Sequence, residues 1–175
     1  MVLLETERDT VLRDWVRALE STASIAANPH RLLPGIIEQL AQTRGEAPAL
    51  LSAGESLTYR ALVARANVFS RWALDQGLAK GETVCLMMPN RPEYLAIWFG
   101  LTRVGVVVAL INTNLRGVAL PHCIDIVAPK HVIAAAEYSA EVSAALPQCA
   151  GSPKIWAHGG GNGDEFDRID HAVER

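Results

Sequence analysis

Positive charge is scarce in this chain and nowhere concentrated. Sixteen lysines and arginines stand against nineteen aspartates and glutamates, for a net charge of −3, and no run of five basic residues occurs. A nucleic-acid partner needs a positive stripe for its phosphates, and an anionic membrane surface needs a polybasic cluster. Neither is supported. Cysteine is also sparse: Cys85, Cys123 and Cys149 are odd in number, widely spaced and without a CxxC pair. That excludes a disulfide framework and a cysteine zinc site, and reduced thiols fit a cytoplasmic protein. The opening residues MVLLETERDT lack the basic and apolar regions of a signal peptide. Tyr94–Ile111 is nearly all apolar, with Arg103 its single charge, but Pro92 precedes it and Gly100 and Gly105 interrupt it. A helix, a glycine stop and a buried strand account for it better than a membrane span.

Common catalytic signatures are missing as well. The glycine-rich HGGGNGDEF (residues 158–166) is followed by no lysine, so it is not a nucleotide phosphate loop, and no GxGxxG opens a helix. It reads as a flexible surface linker, with Asp164, Glu165 and Asp167 a solvated acidic run. His30, His122, His131, His158 and His171 form no metal-binding spacing, and no GxSxG elbow is present. His122 and Cys123 are neighbours on a predicted helix and point apart, so a packed cysteine beside a half-exposed histidine describes them better than a nucleophile and its base.

What remains is an ordinary globular composition, half hydrophobic and one-fifth charged. Helical spacing predicts a helix over 5–20, from Val11, Leu12, Trp15, Val16 and Leu19. Ser21–Asn28 reads as a connector, Asn28-Pro29 starts a second helix running to Gln42, and Gly45 stops it. Residues 49–51 and 56–58 pair as a hairpin around a turn at Gly54. Thr58 caps a helix from Tyr59 whose face is Leu62, Ala66, Phe69 and Ala73, stopped by Gly77. Apolar strands then alternate with helices: strand Thr83–Met88, a helix capped by Asn90 and ending at Gly105, a buried strand Val106–Ile111, helix Arg116–Val127, strand His131–Ala135, helix Glu137–Leu146, and strand Lys154–Ala157. Phe166–Arg175 reads as a further element without a partner in this chain. Strands apolar on both faces, alternating with helices, predict a doubly wound, mostly parallel α/β sheet covered by helices on both sides. The expected division is a helical amino-terminal extension at 1–44 and an α/β subdomain at 45–175, incomplete at its carboxyl end.

Ligands of open α/β sheets bind beyond the carboxyl ends of the strands. Pro89-Asn90-Arg91 and Asn112-Thr113-Asn114-Leu115-Arg116 take that position. Capping accounts for Asn90, and Arg91 reads as a solvated side chain. The second segment carries more polar material than a turn needs, so Asn112, Thr113, Asn114 and Arg116 are the candidate substrate-binding residues, with a plain turn as the alternative. No catalytic residue and no metal ligand is identified.

From Ser56 to Glu137 the wording carries a resemblance. SLTYRALVARAN followed by KGETVCLMMPNRPEYLAIWFGLTRVGVVVALINTNLRGVALPHCIDIVAPKHVI resembles the AMP-forming acyl-CoA synthetases of the adenylate-forming superfamily. INTNLRG…LPHCI is similar to the branch that holds fatty acid transport proteins and very-long-chain acyl-CoA synthetases. The resemblance implies a two-step reaction. A fatty acid and ATP, with Mg²⁺, give an acyl-adenylate, and coenzyme A then displaces AMP to form a thioester. The family's Ser/Thr/Gly-rich phosphate loop with its lysine, its later adenine- and ribose-binding motifs and the catalytic lysine of its mobile domain have no matching positions here. The expectation is therefore the amino-terminal segment of a long- or very-long-chain fatty acid–CoA ligase, inactive alone, binding no cofactor tightly alone, and partnered by the remainder of the enzyme. Its expected location is cytoplasmic, with peripheral membrane association a family trait for which no motif stands here. The alternative is a non-catalytic module of the same fold that binds an acyl or CoA-like ligand at Asn112–Arg116 or complements a partner chain.

Overall fold

A strand that is apolar on both faces needs a covering layer on each side. Thr83–Met87 (β3) is such a strand, with Val84, Cys85, Leu86 and Met87 all inaccessible to solvent. The computed structural model, which describes residues 2–28, 32–52, 54–160 and 166–174, places β3 within a five-stranded, wholly parallel sheet. The other strands are Val107–Leu110 (β4), His131–Ala135 (β5), Lys154–His158 (β6) and Asp167–Arg168 (β7), in the spatial order β4-β3-β5-β6-β7.

The alternation along β3 divides its side chains between two cores. Val84, Leu86 and Met88 join Ile133, Ala135 and Trp156 against the helices Tyr59–Asp75 (α3) and Pro92–Arg103 (α4). Cys85 and Met87 join Val132, Ala134 and Ile155 against Ala119–Val127 (α5) and Ser139–Ala145 (α6). Helices on both faces of a parallel sheet make the doubly wound α/β fold read from the sequence. Burial, with Cys123 and Cys149 adding to it, pushes the Cys85 thiol up to about 12, so it stays protonated and unreactive at neutral pH.

Helix α3 begins where the Thr58 hydroxyl accepts the Ala61 N–H at 3.2 Å and stops before Gly77, whose φ of +72° few side-chain-bearing residues adopt. Its stripe of Leu62, Ala66, Phe69 and Ala73 is buried. Helix α4 crosses this stripe backbone to backbone. A Cβ added at Gly100 would sit 2.3 Å from the Ala66 carbonyl oxygen and 2.9 Å from the Phe69 Cβ. The Ser70 hydroxyl donates to the Gly100 carbonyl at 2.7 Å, closing the crossing with a buried hydrogen bond.

Smaller elements frame this body. Pro48–Leu51 (β1) and Ser56–Thr58 (β2) form the antiparallel hairpin expected. Leu33–Arg44 (α2) packs on α3 and α4, with Glu38 3.0 Å from Arg103. The amino-terminal helix Val2–Ala26 (α1) exposes Leu12, Trp15, Val16 and Leu19. From the middle of β6 the Trp156 indole donates to Nδ1 of His131, the first residue of β5, at 3.0 Å.

Several expected boundaries are corrected. Ser21 and Thr22 are not in a connector: their hydroxyls bond back to the carbonyls of Ala18 and Leu19, and the helix runs on to Ala26. The second helix starts at Leu33, not at Asn28-Pro29; Pro29 lies outside the described residues. The β4 strand is not buried but forms the sheet edge, with Val107 and Leu110 exposed. Helix α5 starts at Ala119 rather than Arg116, because Gly117 turns the chain at φ +58°. The expected helix 137–146 is split, with 3₁₀ turns at Ala136–Tyr138 and Leu146–Gln148 flanking α6. The segment after Phe166 does find a partner: β7 pairs with β6, and Ile169 of the helix Ile169–Val173 (α7) is fully buried against the α3 layer. His158 ends β6 rather than opening a loop, while residues 161–165 of the glycine-rich stretch lie outside the described residues.

The crossing at Gly100 yields a direct test. Gly100→Ala forces the helices apart, and its stability is expected to fall by about 2–3 kcal/mol, typical of overpacking. Urea denaturation would show a lower midpoint at unchanged slope. A wild-type midpoint would mean that the two helices separate without cost.

Candidate functional site

The order β4-β3-β5 makes β3 the point where the winding reverses, since the chain leaves it first to one neighbour and later returns to the other. In such sheets the crevice beyond the strand ends at this point receives ligands. Three segments meet there: Met88–Arg91 after β3, Ile111–Val118 after β4, and Ala136–Glu137 after β5.

Asn90 is not a helix cap. The cap position of α4 is Arg91, in extended conformation and without a side-chain capping bond, and Pro92 supplies the first helical residue. Asn90 is instead exposed on the edge, where it lines a pocket of ≈ 410 Å³ together with Met88, Tyr94, Asn112 and Thr113. The two loops singled out in the sequence are thus brought to one place. Within the second loop the polar residues divide their roles. The Asn112 Oδ1 accepts the Asn114 N–H at 2.9 Å. The Arg116 guanidinium donates to the carbonyls of Thr113 and Leu115 at 2.7 and 2.8 Å and lies 3.5 Å from Glu141. Asn112 and Thr113 line the pocket, whereas Asn114 and Arg116 hold the loop in shape and are not among its lining residues.

Asn90 and Tyr94 also border a second pocket, of ≈ 230 Å³, whose far wall is Leu50, Leu51 and Ser52 of the hairpin. Arg91 lines this second pocket, and its Nη2 lies 3.6 Å from the Glu137 carboxylate across the switch point. Burial pushes the Tyr94 hydroxyl above its ordinary value, and no other ionisable side chain lines the larger pocket. Its chemistry is therefore neutral hydrogen bonding, suited to holding a ligand rather than moving a proton.

Behind these pockets lies a polar cluster that sequence reasoning missed. Glu93, in the first turn of α4, is buried, and Arg65 Nε of α3 donates to both its oxygens at 2.9 and 3.0 Å. His158 Nε2, at the end of β6, lies 3.3 Å from the same carboxylate. Burial alone would push the Glu93 carboxyl up; the contacts with His158 and Arg65 outweigh it and hold the group below the usual carboxylate range. The neighbouring Arg168–Asp170 pair, with Nε to Oδ1 at 2.9 Å, anchors the turn into α7. One signal was available: Glu93 is the only charged residue in the run from Pro92 to Leu101. Among the described residues no group of three or more His, Cys, Asp or Glu is arranged to hold a metal ion, and no helix is long and apolar enough to cross a membrane.

Residues 37–166 match the family described as AMP-binding enzyme. Long-chain fatty acid transport protein 6 of Homo sapiens is 33% identical over 110 residues, which cover 62% of this chain and 18% of that protein. The long-chain-fatty-acid–CoA ligase of Salmonella typhimurium is 34% identical over 102 residues, covering 56% of this chain and 18% of the ligase. This chain thus spans about a fifth of the length of these relatives. The crystal structure of the anthranilate CoA ligase AuaEII in complex with anthranoyl-AMP superposes with a TM-score of 0.75 at 19% identity, over 81% of this chain and 27% of that one. At that identity the likeness is one of fold.

The Glu93 cluster sets a pH dependence. A carboxyl held low in the folded state favours folding fully above its unfolded value, about 4.3, and that contribution is lost as pH falls through the lowered folded value. Because the Arg65 side chain is 41% exposed, solvent screens the pair, and Glu93→Gln is expected to cost only about 1–2 kcal/mol at neutral pH. Denaturation in urea at neutral pH and in the acid range should show the variant less stable at neutrality and less sensitive to acid. Equal acid sensitivity in both proteins would remove Glu93 as the titrating group.

Proposed function

The chain belongs to the AMP-binding enzyme family, and on that premise we propose that it forms the amino-terminal supporting subdomain of a long- or very-long-chain fatty acid–CoA ligase. The observation that carries this reading is the family match across residues 37–166, joined to the identity with fatty acid transport proteins and a long-chain-fatty-acid–CoA ligase. The complete enzyme would activate a fatty acid with ATP and pass the acyl group to coenzyme A. In that enzyme Asn112 and Thr113 border the substrate, and Asn114 and Arg116 keep their loop in register.

The residues of this chain do not fit Mg²⁺-bound ATP. No Ser/Thr/Gly-rich loop ending in lysine occurs in the sequence, and the described residues offer no metal-binding cluster. The chemistry that ATP supplies is accordingly left to other parts of the enzyme, and this segment contributes the sheet, its edge and the loops that shape the substrate region. The rival reading, a binding module without turnover, draws some support from the neutral lining of the larger pocket.

The test is catalytic. The purified 175-residue chain, given ATP, Mg²⁺, coenzyme A and a long-chain fatty acid, is expected to form no thioester above background. The complete protein, obtained by reading the coding DNA past the codon for Arg175, is expected to do so. In that protein Asn112→Ala should raise the KM for one substrate by about threefold to tenfold, the worth of one lost hydrogen bond. Thioester formation by the 175-residue chain would overturn the supporting role. An open reading frame that ends without a lysine-bearing phosphate loop would overturn the ligase reading and favour the binding module.

A further inference from the structure

We propose that α1 is a self-association surface. Two copies of this chain pair antiparallel through the stripe Leu12, Trp15, Val16 and Leu19, and Arg13 of each copy meets Glu20 of the other. The helix lies outside residues 37–166, where the family match falls, so the inference stands without the ligase reading.

The first observation is an uncovered apolar face. Every residue from Thr10 to Ile25 is exposed, so the body of the protein leaves this part of α1 open. With 3.6 residues per turn, Leu12, Trp15, Val16 and Leu19 share one side, and Asp14, Arg17, Ser21 and Ser24 lie opposite. The four apolar residues are between 45% and 64% exposed. Thr22 continues their stripe. Its hydroxyl is already bonded to the Ala18 and Leu19 carbonyls, so the residue can be covered without stranding a polar group. A contiguous apolar patch of this kind marks an interaction surface.

The second observation is spacing. Leu12 and Leu19 stand seven residues apart, as do Trp15 and Thr22, which is the repeat of a helix that packs on another helix. Place a two-fold axis at the level of Arg17 in an antiparallel pair. Trp15 of each copy then packs on Leu19 of the other, and Leu12 on Thr22. Such a pair uses the same surface twice and closes on itself. Two facing stripes bury on the order of 1,000 Å², the size at which specific interfaces begin, and tryptophan is a common anchor of such surfaces.

The third observation is charge, which selects a second copy as the occupant. Arg13 and Glu20 both border the stripe on its Val16 side. Antiparallel packing sets this flank of one helix against the same flank of the other. Arg13 then comes within about one residue's rise, ~1.5 Å along the axis, of Glu20 of the second copy. A parallel pair would set the flank against the uncharged side chains of Ala18 and Ile25. Residues 10–25 carry two arginines, one aspartate and one glutamate. With no net positive charge, nothing draws this stretch to an anionic lipid surface.

Sedimentation equilibrium of the 175-residue chain, from about 1 to 200 μM, is expected to give a mass rising from 18.9 kDa towards twice that value. Trp15→Glu should weaken the dimer at least about thirtyfold. Its urea midpoint, taken in dilute protein, should match the parent's, because the body does not cover Trp15. Arg13→Glu and Glu20→Arg should each weaken the dimer by about fivefold to tenfold, and the double variant should return to within about twofold of the parent. The first substitution makes the chain more negative and the second less so, and a response to net charge alone would therefore have opposite signs. A single 18.9 kDa species at about 200 μM, a dimer indifferent to Trp15→Glu, or a double variant weaker than either single one would overturn the proposal. So would a monomer that co-sediments with phosphatidylcholine vesicles through Trp15, which would assign the stripe to lipid. Each of these results leaves the ligase reading standing, just as failure of the complete protein to make a thioester leaves the pairing standing.

Discussion

Gly100 lets α4 approach α3 until a side chain between them would overlap the Ala66 carbonyl, and the start of α4 takes its place from that approach. Two turns earlier on the same helix is Glu93, within reach of Arg65 on α3. Just ahead of Glu93 are Asn90 and Arg91, which line the edge pockets. A single backbone contact thus positions the polar residues at the switch point of the sheet. Ser70, bonded to the Gly100 carbonyl, resists sliding of one helix along the other. Interiors pack as densely as organic crystals, so the crossing has little freedom to relax.

The Glu93 cluster extends that constraint across the sheet. Arg65 belongs to α3, Glu93 to α4 and His158 to the end of β6, so one carboxylate joins two helices of one layer to a strand of the sheet. Burying a carboxylate is tolerated only with compensating partners, and here an arginine and a histidine supply them. The result holds the carboxyl edge of β6 near the start of α4, where the chain proceeds into β7 and α7. Arg168 and Asp170 continue the polar contacts on that side.

Membership of the AMP-binding enzyme family gives this edge a context. The architecture is a frame, with two cores sealed against the sheet and an edge lined by asparagine, threonine, tyrosine and one arginine. Such a lining offers hydrogen-bonding groups on an apolar wall. Away from that edge, Glu93 is held charged by Arg65 and His158, and Cys85 is kept protonated by the core around it. A segment of this kind can shape a substrate region without itself carrying the reacting groups, which is the division of labour proposed for it.

The alternation of apolar strands with helices made the doubly wound sheet legible in the sequence, because the period of burial is a local property of the chain. Thr58 as a cap, Gly77 as a stop and the face Leu62, Ala66, Phe69 and Ala73 were legible for the same reason. So were the two loops at the ligand edge, since strand ends follow from strand assignments. Strand order was not. That β4 lies at the edge and is half exposed, despite reading VVVALI, depends on which neighbour it pairs with. Whether Asn90 caps a helix or lines a pocket depends on one residue of helix boundary, below what propensity resolves. The Arg65–Glu93–His158 cluster joins residues 28 and 65 positions apart along the chain, and nothing local in a sequence encodes such a meeting. The sequence by itself determined the fold class, the family resemblance and the absence of the phosphate-loop motif, all of which reside in local pattern and residue identity. Only the tertiary structure decided which polar residues face a pocket, which hold a loop and which neutralise one another in the interior, because those roles are set by distances between elements remote in the chain.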